Sequence, residues 1–146
     1  MPTLFTRIIN REIPGRFVYE DEHCVAFLTV APLRPGHTLV VPKLEIDHWV
    51  DLPPALLSHL ILTAQKVAGA LQKAFPSLKV GLVIVGLEVP HCHIHLSPID
   101  HIGDLNFENQ NSQARPEDLD AAAEAIRRAW PQPRVRNRPF LFLRIQ

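Results

Sequence analysis

The chain predicts an α+β domain in which five strands carry one long helix, with a second helix near the C-terminus. Three observations support this: β-rich runs within residues 17–41 and again within 79–96, a helical apolar stripe between Pro53 and Phe75, and a proline-opened acidic segment at Pro116. At 146 residues the chain has the length of one domain, enough to bury roughly 68 to 70% of the surface an unfolded chain would expose. Residues 1–130 are expected to form that domain, and residues 131–146 a C-terminal tail or edge strand.

Taking the elements in order, Leu4-Phe5-Thr6-Arg7-Ile8-Ile9 has helix-like spacing that Pro14-Gly15 interrupts, giving a short amphipathic helix and a turn. Phe17-Val18-Tyr19-Glu20 and Cys24-Val25-Ala26-Phe27-Leu28 flank Asp21-Glu22-His23 and read as a hairpin. After the breaker cluster Pro32-Leu33-Arg34-Pro35-Gly36, residues His37 to Val41 form a third strand, stopped at Pro42. Leu56, Leu57, Leu60, Ile61, Ala64, Val67, Ala68 and Leu71 recur at three- and four-residue spacings and define the main helix, which should cover one face of the sheet. Two further strands, Lys79 to Val85 and Val89 to Leu96, surround Gly86-Leu87-Glu88. Residues 99–115 are polar, rich in Asn and without a period, and are expected to be a loop. Pro116 in a first turn followed by Glu117 and Asp118 opens a helix that runs to about Trp130, where Pro131 and Pro133 stop it.

Composition narrows the function. Fifteen basic and fifteen acidic side chains cancel, and the sequence pI is near 7.1, so no long-range field gathers nucleic acid or an anionic membrane, and any phosphate recognition must be local. Cys24 and Cys92 sit among apolar neighbours as expected for buried free thiols. With no apolar run long enough to span a bilayer and no secretion signal at Met1 to Asn10, a cytoplasmic protein is expected.

The chemistry concentrates in His91, His93 and His95. Side chains of a strand alternate faces, so these three imidazoles share one face while Cys92, Ile94 and Leu96 point into the core. Each two-residue step covers about 6.6 Å, which puts the outer Cα atoms roughly 13 Å apart. One zinc could take two of these rings and would need ligands from elsewhere. A neutral imidazole is also a nucleophile, provided an acceptor holds its other nitrogen in one tautomer. The middle ring is the natural attacker, and its neighbours are placed to grip phosphate oxygens. Burying three unpaired imidazoles would cost roughly 1 to 3 kcal/mol each, which makes coincidence a poor explanation.

The run Val89-Pro90-His91-Cys92-His93-Ile94-His95-Leu96 resembles the signature of the histidine triad family. Ile9-Asn10-Arg11-Glu12-Ile13-Pro14, Val25-Ala26-Phe27 and Pro35-Gly36-His37-Thr38-Leu39-Val40-Val41-Pro42-Lys43 are similar to that family's other blocks, in order, so the resemblance spans residues 4–98. It implies a five-stranded antiparallel sheet, often in a homodimer, and a metal-independent hydrolase or nucleotidyltransferase needing no cofactor. By resemblance His93 attacks the α-phosphate of a nucleotide to give a nucleotidyl-imidazole, His91 and His95 flank it, and His37 is the family's fourth histidine. Ile8, Ile13 and Phe27 match positions that wall the base, and Val89 adjoins the phosphate segment. Phosphoramidates, phosphoanhydrides and dinucleoside polyphosphates, with purine bases favoured, are the implied substrates.

Two positions depart from the pattern. Thr29 stands where many relatives carry an acidic residue for the ribose hydroxyls, and offers a hydrogen bond without charge. Glu88 replaces the hydroxyl of a Gly-Gln-Ser/Thr segment with a carboxylate that would repel phosphate, so it must point away, be protonated, or serve a leaving group. Two alternatives stay open: a metal site using His91 and His93 with His37, although no Cys-x-x-Cys pair near Phe5 supports a structural zinc, and a nucleotide-binding sensor with little turnover. His23, His48, His59 and His101 are expected outside catalysis, with His101, beside Asp100 and Asp104, a candidate for a lid.

Overall fold

The computed structural model describes residues 1–130, and the tail or edge strand expected at 131–146 lies outside the described residues. The elements follow in order: α1 (Leu4–Ile9), β1 (Phe17–Glu20), β2 (Cys24–Leu28), β3 (Thr38–Pro42), α2 (Pro54–Ala74), β4 (Lys79–Ile84), β5 (Ile94–Ile99) and α3 (Pro116–Ala129), with short 3-10 turns at Trp49–Asp51, Ile102–Leu105 and Phe107–Asn109. The sheet is antiparallel throughout, in the order β1-β2-β3-β5-β4. The expected α+β class with a five-stranded antiparallel sheet is the architecture found.

Every residue of β2 and β3 is buried, because both faces of the sheet centre are covered. One face packs under α2 and α3: Cys24, Ala26, Val40, Ile94 and Leu96 meet Leu60, Ala64, Val67, Leu71, Ala123 and Ile126. Each large aliphatic side chain buried there contributes roughly 1.5 to 3 kcal/mol relative to exposure. The residues of opposite parity, Val25, Phe27, Leu39 and Val41, pack beneath α1 against Phe5 and Ile8. The β-strand period therefore divides the sheet into a structural face and a face that carries the histidines.

Two local devices bear on the site. Gly36 adopts φ +97° on the way into β3, and a Cβ there would lie 2.7 Å from both Leu71 Cδ1 and Phe75 Cδ2, so only glycine lets this turn pass α2 and deliver His37 to the strand end. Asp21 saturates its carboxylate with the Tyr19 hydroxyl at 2.6 Å, His59 Nε2 at 2.7 Å and the backbone N–H groups of His23 and Cys24. That network locks the β1-β2 turn to α2 and explains the His23–His59 pairing on structural grounds. Both cysteines are free and buried, with burial pushing each thiol up to about 11. Among the described residues no helix is long and apolar enough to cross a membrane.

The strand expected at Val89 to Leu96 begins later, at Ile94. Pro90 has no N–H to donate, and the Cys92 N–H is taken by the Ile46 carbonyl at 2.7 Å instead of by a neighbouring strand. His91 and His93 accordingly precede the ladder, and β5 continues to Ile99. The expected loop at 99–115 contains the last two 3-10 turns rather than being wholly irregular.

Candidate active site

All four histidines singled out by the sequence are buried: His37 and His91 at 1% and 0% exposure, His93 and His95 at 2% and 5%. Four imidazoles with so little water around them must satisfy their nitrogens within the protein. Their partners assign the tautomers one after another.

The Leu33 N–H donates to His37 Nδ1 at 2.9 Å, so that nitrogen carries the lone pair and the proton sits on Nε2. His37 Nε2 lies 2.9 Å from His95 Nδ1 and donates to it, which leaves the His95 proton on Nε2. His95 Nε2 is the one buried side-chain nitrogen or oxygen among the described residues without a partner. On the neighbouring ring the order is reversed. His93 Nδ1 lies 2.7 Å from the His91 carbonyl oxygen, which can only accept, so Nδ1 donates and Nε2 holds a lone pair. The rings of His93 and His95 pack edge to face with centroids 4.8 Å apart. A lone pair and an N–H donor thus sit side by side, both uncommitted to backbone partners.

Electrostatics keeps this assignment in force. Burial, reinforced by the neighbouring His93, pushes His37 down to about 4. Burial, with His37 and His93 adjacent, pushes His95 down to about 3. Both rings are therefore neutral near pH 7, as the donor-acceptor relay requires.

His91 is part of the row but not of its open end. Its Nε2 donates to the Pro42 carbonyl at 2.8 Å and its Nδ1 meets the Thr3 hydroxyl at 2.7 Å. With both nitrogens engaged it cannot join His93 and His37 around a metal, and the ligand set expected for that alternative does not converge. The donors that do converge are those of Glu88, His93 and His95, all within 4.8 Å of one another.

Glu88 does not point away: its Oε2 stands 3.9 Å from His93 Nε2, while the side chain remains 54% exposed. Ile8, Ile13, Phe27 and Val89 are brought together in one apolar cluster that also holds Phe5, whose ring lies edge-on to His93 at 4.8 Å between centroids. Thr29 is not drawn into that cluster; its hydroxyl caps its own turn by accepting from the Ala31 N–H at 3.2 Å.

Phe5 and Phe107 are site residues that sequence reasoning missed. Phe107 packs edge-on to His95 at 4.8 Å and to His37 at 6.4 Å. The Asn111 N–H to Pro32 carbonyl bond and the Gln110 side chain on the Ala31 carbonyl pin its segment. A lone large aromatic in an otherwise polar loop was the available signal. His101, the lid candidate, is exposed and caps its own 3-10 turn with Asp104. A cavity of about 460 Å³ between the Pro32–His37 turn and α3 reaches His37 from behind, without touching His91, His93 or His95.

Comparison with known proteins shows the family and the fold. The HIT domain family model matches residues 10–102. An uncharacterised HIT-like protein of Methanocaldococcus jannaschii is 38% identical over 99 residues, covering 65% of this chain and 77% of that protein. A zinc-bound histidine triad family protein from Mycobacterium smegmatis has the same fold, with a TM-score of 0.73 and 26% identity over 87% of this chain and 91% of that one. A hypothetical histidine triad nucleotide-binding protein from Sulfolobus tokodaii gives 0.72 at 28% identity, covering 86% and 89%. With the family's domain spanning most of the described chain, this protein belongs to the histidine triad family, a superfamily of nucleotide-binding hydrolases and transferases.

Proposed function

We propose that this protein cleaves a nucleoside phosphoramidate through a covalent nucleotidyl-histidine on His93. The observation that carries the proposal is the free lone pair on His93 Nε2 set beside the unpartnered N–H of His95 Nε2. In the first step Nε2 of His93 forms a bond to the α-phosphorus as the phosphorus-nitrogen bond breaks. The bonding pair returns to the substrate nitrogen, which, already protonated, departs as a neutral amine. His95 Nε2–H donates a hydrogen bond to a non-bridging oxygen where charge accumulates. Water then attacks phosphorus and gives up a proton to solvent, the bonding pair returns to His93 Nε2 as that bond breaks, and the nucleoside monophosphate leaves. Ile8, Ile13, Phe27 and Val89 offer the apolar wall for a base, a purine preferred, with Thr29 able to give the ribose only a neutral hydrogen bond.

Glu88 selects among the leaving groups the family admits. A carboxylate beside the attacking nitrogen opposes a polyphosphate leaving group and favours a substrate whose leaving nitrogen is protonated, and so positively charged, until the bond breaks. His93→Ala should abolish turnover of an adenosine phosphoramidate while AMP binding stays within a few-fold, because truncation removes the attacking atom and few ground-state contacts. Turnover at the parental rate in that variant would reject the assignment.

A second reading has its own observation. Glu88, His93 and His95 bring one possible ligand atom each within 4.8 Å of the others, a set that would hold zinc only with the His95 Nε2 proton displaced, and the Mycobacterium smegmatis relative is zinc-bound. The proposed chemistry needs no metal, so activity should survive excess chelator; loss of activity restored by zinc would favour the metal. We also place a second copy of the chain against the edge strand β4, where Leu82 is exposed beside Ile61 and Leu62 of α2. Sedimentation at micromolar concentration should give a dimer, and a monomer would exclude this contact.

A further inference from the structure

His91 is used by neither step above, yet it is the most completely buried of the four histidines and carries the carbonyl that fixes the tautomer of His93. That carbonyl lies outside the β5 ladder, which starts at Ile94, so no strand pairing holds it. Something else must set its direction.

We infer that Thr3, Thr6 and Glu45 form a hydrogen-bond relay that orients His91 and, through its carbonyl, positions His93 for attack. The chain of donors can be followed atom by atom. The Pro42 carbonyl only accepts, so His91 Nε2 carries the proton and donates to it at 2.8 Å. His91 Nδ1 then holds a lone pair and must receive a proton donor, and the Thr3 hydroxyl at 2.7 Å is the donor in contact. Thr3 Oγ1 in turn accepts from the Thr6 N–H at 3.1 Å. The Thr6 hydroxyl donates to Glu45 Oε1 at 2.8 Å, and the Thr3 N–H donates to the same oxygen at 2.7 Å. One carboxylate oxygen therefore fixes both threonines.

The same short segment grips the other end of the peptide. Ile46, next to Glu45, accepts from the Cys92 N–H at 2.7 Å, and that N–H belongs to the peptide unit whose oxygen receives His93 Nδ1–H at 2.7 Å. Residues 45 and 46 thus hold the His91–Cys92 peptide plane from its N–H edge directly and from its histidine side through the threonines. The three relay residues come from α1's start and from the segment after β3, 42 and 88 positions away from Thr3 in sequence for Glu45 and His91. Burial also pushes His91 below its ordinary value, which keeps the ring neutral and the relay in one sense.

These are positioning residues; none touches the reacting atoms. The inference rests on the proposed attack by His93, and the test separates the two. Thr3 also caps α1, so capping has to be held apart from the relay. Thr3→Val removes the hydroxyl and the cap, Thr3→Ser keeps both, and Thr3→Asp keeps a capping acceptor but offers His91 Nδ1 no hydroxyl donor. We expect Thr3→Val and Thr3→Asp each to lower kcat for an adenosine phosphoramidate about tenfold, the scale of lost support behind a working histidine, with KM changed less than twofold. Thr3→Ser should recover at least half of the parental kcat. Nitrogen-15 NMR of the imidazoles gives a readout independent of turnover: His91 should be protonated at Nε2 alone in the parent and in Thr3→Ser, and should gain a proton at Nδ1 in Thr3→Asp, whose carboxylate can only accept. Parental kcat in Thr3→Asp, failure of Thr3→Ser to rescue, or an Nδ1-protonated His91 in the parent would each overturn the relay. If the parent shows no turnover, the proposed reaction fails, and the tautomers alone decide the relay.

Discussion

Replacing His37 with leucine removes the donor that dictates the tautomer of His95 while roughly preserving the volume of a side chain that is 1% exposed. In the parent, His37 Nε2–H at 2.9 Å leaves His95 Nδ1 no choice but to accept, and the free proton is presented at Nε2. Without it, His95 can place its proton on Nδ1 and offer the phosphate a lone pair, which repels the developing charge. Loss of one preorganised donor to such charge costs about 10² to 10³ in kcat. The stability cost has two parts, the stranded His95 Nδ1 and the Leu33 N–H that loses its acceptor, each about 1 to 3 kcal/mol when buried. Together that is about 2 to 6 kcal/mol against the roughly 5 to 15 kcal/mol typical of a domain, so the rate is read only on sample that a urea melt shows to be folded. The assay is single-turnover hydrolysis of an adenosine phosphoramidate by folded His37→Leu, with urea melts on the same sample. His37→Gln, whose amide can donate in place of the imidazole, should regain part of the rate. A kcat within twofold of the parent in His37→Leu would refute the relay of protons through His37 and with it the role given to His95 Nε2.

Two further outcomes follow from the same geometry. His37 and His95 titrate at about 4 and about 3 in the folded protein against 6.5 unfolded, so their neutral forms stabilise the fold fully above pH 6.5. That stability drains as pH falls toward 4, because the unfolded chain takes up protons the native state refuses; for His37 alone the loss is roughly 3 kcal/mol. Urea midpoints should fall steeply from pH 7 to pH 4.5, and His37→Leu should flatten the slope; a pH-independent midpoint across that range would show that the rings are not held neutral. Glu88→Gln should shift the ratio of kcat/KM for phosphoramidate over dinucleoside polyphosphate about tenfold toward the polyphosphate, the effect of removing one half-exposed charge near the reacting atoms. An unchanged ratio would mean that the carboxylate does not face the leaving group.

The sequence carried the strands and the long helix because each buries a face at a fixed period: Val25 and Phe27 against Cys24 and Ala26, Leu60 and Val67 on one helical stripe. It placed β5 too early, since the period-two run from Val89 continues through Pro90, which has no N–H, and Cys92, whose N–H is tied to Ile46 rather than to a strand. The histidine row was legible because alternation by two residues survives that irregularity, and Phe5 lies against both His91 and His93. Which nitrogen of each ring carries the proton was not legible, because it depends on Leu33, Pro42 and Thr3, partners defined by turns and by contacts across the fold. Phe107 was hidden for the same reason: it reaches His95 only because residues 110 and 111 bond to Ala31 and Pro32.

Rapid quench of the protein with an isotopically labelled adenosine phosphoramidate, followed by peptide mass spectrometry under conditions that spare phosphorus-nitrogen bonds, measures the covalent step itself. The geometry requires a nucleotidyl adduct confined to the peptide containing His93, formed and lost at rates that match turnover. Turnover with no adduct at any time point, or an adduct on His91, His95 or His37 in its place, would contradict attack by the free nitrogen of His93.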